Sequence, residues 1–362
     1  MAKNIAVNIS NYFDFVRFCI NDTAPVPDSF YVMDWNGLFD FMKEQALLGV
    51  LMFGLKKMPG EVKVPRDIVL KACGTSENIR RRNGQLYKKT AEVLAHLRKN
   101  GFEGCILKGQ GNALMYPDPY KRMPGDIDVF VKGTNRKILY EYIKTKGDVT
   151  GHHYHHIEYQ EEGIQIEFHV IPCSMNNPFY NKRLQRWFGK HITDGCVTVA
   201  MPDELGEIAI PTLEFNVIYQ LAHLMHHFFD EGIGLRQMMD YYFLLKAKNG
   251  LGFRDENTER TLRYLGLYKF AGAVMWVLHE VFGLEEKFYI VPTDEWRGKL
   301  LLEEIIKGGN FGHFSGLTDH SIGTKYFLKI KRNMRFVRAY PAEALCEPVF
   351  RTWHFFWRLL NG

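Results

Sequence analysis

No stretch of this sequence is apolar over the roughly 20 residues that a membrane-spanning helix needs. Its opening, MAKNIAVNISNYFDFVRF, lacks a charged start followed by a clean apolar run and a small-residue cleavage site. Both absences lead us to expect a cytoplasmic protein with no membrane role. No CxxC occurs, and Cys19, Cys73, Cys105, Cys173, Cys196 and Cys346 are far apart. That spacing argues against a structural zinc site on paired cysteines and for reduced thiols in the core. There is no internal repeat and no low-complexity tract. Nor is one sign of charge in large excess: 46 Lys and Arg against 41 Asp and Glu leave a net charge of +5. Such a balance permits polyanionic partners such as nucleotides without demanding them.

What is present is the material of a folded protein: 362 residues, 46% apolar and 14% aromatic. Three regions are expected. Residues 1–83 read as helices, for example DWNGLFDFMKEQALLGVLMFGLKKM, whose apolar residues recur at three and four positions. Residues 84–204 mix types. A helix, QLYKKTAEVLAHLRKNG, closes at Gly101; FEGCILKG is a short strand; GNALMY is a short helix; DIDVFV is a strand; RKILYEYIKTKG is a helix. HHYHHIEYQEEGIQIEFHVIP reads as a hairpin turning at 161–163. Residues 205–362 return to helices over 210–232, 234–250 and 260–283. The fold class expected is α+β, a small mixed sheet flanked by helical regions.

The strands carry the chemistry. Alternation along DIDVFV puts Asp126 and Asp128 on one face and Ile127, Val129 and Val131 on the other. Alternation along GIQIEFHV gathers Gln165, Glu167 and His169 opposite Ile164, Ile166, Phe168 and Val170. If both strands lie in one sheet with their apolar faces on the core, Asp126, Asp128 and Glu167 converge on the exposed face. Hard oxygen donors in such a cluster suit Mg²⁺ or Mn²⁺. The plainer reading is a solvated pair of aspartates on a surface strand. Upstream, LKGQGNALMY joins a strand to a short helix. Gly109 and Gly111 let backbone N–H groups approach an anion, and Lys108 adds a cation. The same turn also reads as a tight connection with a solvated lysine. Arg122 is either a phosphate ligand or a surface arginine in a proline-rich loop.

Together these segments resemble the polymerase-β-like nucleotidyltransferase superfamily. LKGQGNALMYPDPYKRMPGDIDVFV with IQIEFHV resembles, more narrowly, its bacterial family of uncharacterised nucleotidyltransferases. The matching positions are Lys108, Gly109, Tyr116, Arg122, Asp126, Asp128, Glu167 and His169, with weaker similarity around His223, Arg236 and Asp240. The resemblance implies a nucleoside triphosphate, ATP first among them, with its phosphates at the turn of Lys108, Gly109 and Gln110. It implies Mg²⁺ or Mn²⁺ on Asp126, Asp128 and Glu167, with Glu167 also able to act as base. Arg122 and His169 would line the nucleotide. Gln110 departs from the superfamily, which has Ser or Gly after the first glycine of this turn.

HHYHH at 152–156, read as a strand, puts His153 and His155 on one face and His152 and His156 on the other. His223 and His227 stand four apart on a helix without the glutamate of HExxH, so packed histidines are favoured over a zinc site. Two rival functions stay open: a His/Asp metal-dependent hydrolase, and a nucleotide-binding or scaffold protein that has lost the reaction. The acceptor is not readable, with a small molecule or protein favoured over nucleic acid. The basic, aromatic RTWHFFWRLLNG at the end is expected to be a helix packed on the body.

Overall fold

The computed structural model describes residues 2–247, 252–312 and 322–361. It begins with helices α1 (Ala2–Ile20), α2 (Trp35–Glu44), α3 (Leu48–Lys57) and α4 (Arg66–Lys99). The expected single helix over 34–58 is two. Ala46 takes a left-handed φ of 54° between α2 and α3, and this turns the chain. The α4 helix runs unbroken through position 83, where a boundary was expected. It ends in a Schellman motif: Gly101 has φ 78°, its N–H donates to the Arg98 carbonyl, and Phe102 N–H donates to that of Leu97.

A five-stranded mixed sheet follows. It comprises β1 (Glu103–Ile106), β2 (Ile127–Lys132), β3 (Val149–His152), β4 (His156–Glu161) and β5 (Ile164–His169), in the order β1-β2-β5-β4-β3. Only β2 and β5 are parallel. Helix α5 (Gln110–Ala113) lies between β1 and β2, and α6 (Arg136–Lys144) between β2 and β3. The β4–β5 hairpin turns on Glu162 and Gly163, both with positive φ, as expected. Lys89 of α4 holds that turn through Glu161 and Glu162, at 3.4 and 2.8 Å.

One face of the sheet is the apolar one that alternation predicts. Ile127, Val129, Val131, Ile166 and Phe168 pack there in one buried cluster with Leu86, Val93 and Leu97 of α4 and Leu139 and Ile143 of α6. Each such side chain contributes about 1.5–3 kcal/mol when fully buried. HHYHH, however, is not a strand. His152 ends β3 and His156 begins β4, with a tight turn between them.

The remainder is α7 (Pro178–His191), a ribbon of β6 (Cys196–Ala200) and β7 (Glu207–Pro211), and helices α8 (Leu213–Asp230), α9 (Leu235–Lys246), α10 (Glu256–Tyr264), α11 (Tyr268–Phe282), α12 (Glu295–Gly308), α13 (Ile322–Met334) and α14 (Pro341–Asn361). The helix expected over 234–250 is α9; positions 248–250 lie outside the described residues. The helix expected over 260–283 is interrupted at Gly266, φ 75°, which separates α10 from α11. No described helix is long and apolar enough to cross a membrane. The α14 helix rests its aromatic residues on the β3–β4 turn: Trp353 and Trp357 meet the Tyr154 ring edge-on. All six cysteines are free thiols.

The loop before β2 is held from behind by α4. The buried Asn83 side-chain amide donates to the carbonyls of Tyr120 and Arg122, both at 2.8 Å. Asn83→Ala leaves both carbonyls buried and unpaired. It should cost about 1–3 kcal/mol in denaturant unfolding, whereas a surface substitution such as Lys71→Ala should cost under about 0.5 kcal/mol.

Candidate active site

The polar face of the sheet is built by register. Asp128 of β2 stands across from Glu167 of β5, and Glu167 across from Glu158 of β4. The next row is Phe130, His169 and His156. Carboxylates therefore line one row of the sheet, and histidines flank them in the next. Asp126 precedes β2 by one residue and joins the first row from the loop. Oxygens of Asp126, Asp128 and Glu167 lie within 4.8 Å of one another. The expected convergence is present.

The expected exposure is not. Asp128 is 0% exposed and His169 1%, because helix α8 covers this face with Tyr219 and His223. Two cations compensate the buried charge. Lys108 Nζ lies 3.0 Å from Asp128 Oδ1, and His169 Nε2 donates to the same oxygen at 3.1 Å. His169 Nε2 also stands 3.3 Å from Glu167 Oε2. Burial opposes protonation of His169, but the bonds to Asp128 and Glu167 outweigh it and hold its pKa at about 9. For Lys108, burial is again the largest influence, and Asp128, Asp126 and Glu167 overcome it to push the pKa up. Glu167 is held below its usual range. Burial and Asp126 push it upward, and His169, His156 and Lys108 pull it further down.

The turn expected to hold phosphate is where the chain needs glycine. Gly109 has φ 60°, and a Cβ there would come 3.2 Å from the Asp126 carbonyl. The turn is thus packed directly against the carboxylate loop. Gln110 is 1% exposed, and its Oε1 is buried without a hydrogen-bond partner among the described residues.

Arg122 is placed differently from the phosphate-ligand reading. It is buried, and its Nε and Nη2 donate to the two oxygens of Asp240 of α9 at 2.9 and 2.8 Å. Tyr116 Oη donates to Asp240 Oδ1 at 2.7 Å. The guanidinium is therefore committed to joining the pre-β2 loop to α9. Arg236, one turn before Asp240, reaches the carbonyls of Met123 and Pro124 at 3.5 and 3.4 Å. It is the cation beside Asp126 that the local motif does not announce.

Sequence reasoning also missed Tyr219 and Glu158. Tyr219 of α8 packs against the His223 ring, and its pKa is raised by burial first and by Asp128 next. The spacing of Tyr219, His223 and His227 along α8 is the signal that could have found it. His223 and His227 contact each other, Nε2 to Nε2 at 3.1 Å.

The donor set fits hard divalent cations. It offers oxygens from three carboxylates, and Asp128 Oδ2 and the Tyr219 hydroxyl are buried with no hydrogen-bond partner among the described residues.

The sequence profile of a family described as uncharacterised nucleotidyltransferases matches residues 32–283, more than two thirds of the chain. The chain belongs to that nucleotidyltransferase family. The matched span contains every strand of the sheet, the carboxylate row and the Arg122–Asp240 pair. Among solved structures, an antigenic nucleotidyltransferase-like protein from Paracoccidioides brasiliensis is similar. The identity is 12% and the TM-score 0.35, over 58% of this chain and 95% of that one. No curated protein matches.

The pair behind the site should show the asymmetry of buried ion pairs. Asp240→Asn leaves the Arg122 charge buried and should cost about 3–5 kcal/mol. Arg122→Met together with Asp240→Leu should recover most of that loss. Urea midpoints with unchanged m values are the measurement.

Proposed function

We propose that this chain is a bacterial, cytoplasmic enzyme of the polymerase-β-like superfamily. It moves a nucleoside monophosphate from a nucleoside triphosphate, ATP first, to a hydroxyl-bearing acceptor that is a small molecule or a protein. The observation that carries this reading is the meeting of Asp126, Asp128 and Glu167 within 4.8 Å beside a glycine turn that touches the Asp126 backbone. Residues 84–204 would be the catalytic unit, with 1–83 and 205–362 as helical flanks that select the acceptor.

The roles follow from position. Asp126 and Asp128, with Glu167, would hold Mg²⁺ or Mn²⁺, which supplies neutralisation of phosphate charge and acidifies a bound hydroxyl. The turn at Lys108, Gly109 and Gln110 receives the phosphates. Lys108, now on Asp128, is within its side chain's reach of that turn and exchanges a carboxylate for a phosphate. Glu167, held deprotonated, accepts the acceptor's proton. His169 fixes the Asp128 and Glu167 carboxylates from behind and lines the nucleotide. The acceptor oxygen bonds to the α-phosphorus, the bond to the bridging oxygen breaks, and pyrophosphate leaves. The chain's contribution is positioning and preset charge.

A second reading has one observation in its favour. Asp128 is already bonded to two cations of the chain, Lys108 and His169, which suits a protein that binds nucleotide without turning it over. Incubation with each labelled triphosphate and Mg²⁺ separates the two. Transfer of label, or pyrophosphate release, abolished at least about 100-fold in Asp126→Asn/Asp128→Asn supports the enzyme. Nucleotide-induced melting shifts with no release support the binding protein. No shift with any nucleotide removes both. Gly109→Ala, strained at its positive φ by about 1–3 kcal/mol, should weaken the nucleotide-induced shift while the circular dichroism of the folded protein is kept.

A further inference from the structure

The tip of the β3–β4 hairpin carries a second convergence of donors, one that nucleotidyl transfer does not use. His153 N–H donates to the His156 carbonyl at 3.0 Å. This closes a two-residue turn at Tyr154 and His155 and sets His153 opposite His156. Residues opposed across a hairpin share a face, and Glu158 joins that face two residues on. His153 Nε2 lies 2.9 Å, and His156 Nε2 3.2 Å, from Glu158 Oε1. The three donor atoms fall within 4.8 Å of one another. Donors held at about 2.0–2.2 Å around a tetrahedral ion stand about 3.3–3.6 Å apart, so a small opening of these separations makes a coordination shell. We propose that His153, His156 and Glu158 form a site for a transition-metal dication of the zinc class, separate from the carboxylate triad.

The surroundings are those of a supported ligand set. Gln165 Nε2 donates to Glu158 Oε2 at 3.2 Å, which orients the carboxylate and leaves Oε1 for an ion. Gly151 is the register partner of Glu158, and a Cβ there would fall 2.4 Å from Glu158 Oε2. A Cβ at this position would displace the carboxylate from its present place. His354 Nε2 accepts the Tyr154 N–H at 3.1 Å and fixes the turn from α14. The His153 and Glu158 side chains are 28% and 25% exposed, which provides an entry path and an open position for water. Two imidazoles with one carboxylate select zinc-like ions over magnesium.

The site bears on the triad through one ring. His156 Nδ1 lies 3.7 Å from Glu167 Oε2 and has no hydrogen-bond partner among the described residues. Coordination at Nε2 fixes the tautomer that carries the proton on Nδ1, facing Glu167. The ion is then a positioning element for Glu167. Its binding stands whether or not the triad transfers nucleotides.

The test is titration of the metal-free full-length protein with Co²⁺ and then Zn²⁺ at neutral pH. One equivalent of Co²⁺ should give the strong visible absorption of a four-coordinate ion, bleached by Zn²⁺. The same absorption should persist in Asp126→Asn/Asp128→Asn. His153→Ala, at a partly exposed position, should keep the melting temperature of the metal-free protein and lower Co²⁺ affinity at least about tenfold. Glu158→Gln should do the same and serves as the second variant. Absence of the absorption overturns the proposal. So does its loss in the aspartate variant, which assigns the ion to the triad. Its survival in both His153→Ala and Glu158→Gln also overturns it, and assigns the ion to the overlapping set of His156, Glu167 and His169.

Discussion

Bringing three carboxylates together under a helix is the costly act in this structure, and the neighbouring elements answer to it. Unit charges within 4.8 Å of one another repel by at least about 3–4 kcal/mol at the effective dielectric of a protein site. Asp128, fully buried, also forfeits its hydration. The chain compensates with Lys108 from the turn after β1 and His169 from β5, both on one oxygen of Asp128. The second oxygen stays unpartnered. Such a centre is folded but electrostatically unfinished. Its own cations neutralise part of the charge, and an external cation would neutralise the rest.

The histidines around this centre divide by environment. Ring contacts link His354, His153, His156, His169, His155, His226, His227 and His223 in one chain. Among its buried members, His155, His223 and His226 have their pKa values lowered, chiefly by burial. They are neutral packing groups at physiological pH. His169 is pushed the other way, because hydrogen bonds to Asp128 and Glu167 outweigh its burial, whereas burial outweighs the carboxylates beside His156 and lowers it. The count of histidines therefore overstates the charge they bring.

How much of this could be read in the sequence depended on range. Period-two alternation placed Asp126, Asp128 and Glu167 correctly because each strand carries its own face assignment. Glycines at 101, 109 and 163 were legible because positive φ is a local demand. The register between strands was local only within the hairpin. Glu158 is brought beside Glu167 by the pairing of β4 with β5, a register that the turn at 161–163 sets, whereas the pairing of β5 with β2 has no such local cue. Arg122 was misjudged for the same reason: its partner, Asp240, lies 118 positions away. The breaks at Ala46 and Gly266 sit inside apolar patterns of helical period, and periodicity alone does not reveal where a helix turns back on itself. HHYHH was read as a strand because alternation of aromatic and imidazole rings imitates one; the tight turn within it has no glycine or proline to announce it.

That turn ties the end of the chain to its chemistry. Tyr154 sits in a cage of Phe350, Trp353 and Trp357 from α14, while its neighbour His153 faces Glu158. Arg351 of α14 pairs with Asp230 at the end of α8 at 2.8 Å, and α8 in turn supplies Tyr219 over the carboxylates. A displacement of α14 would thus be felt on both sides of the site, at the hairpin that backs Glu167 and at the helix that covers Asp128. The terminal helix is a strap between these two walls. This accounts for its split character: His354 and Trp357 are half-buried on the hairpin, and Phe355, Phe356, Leu359 and Leu360 are left at the surface.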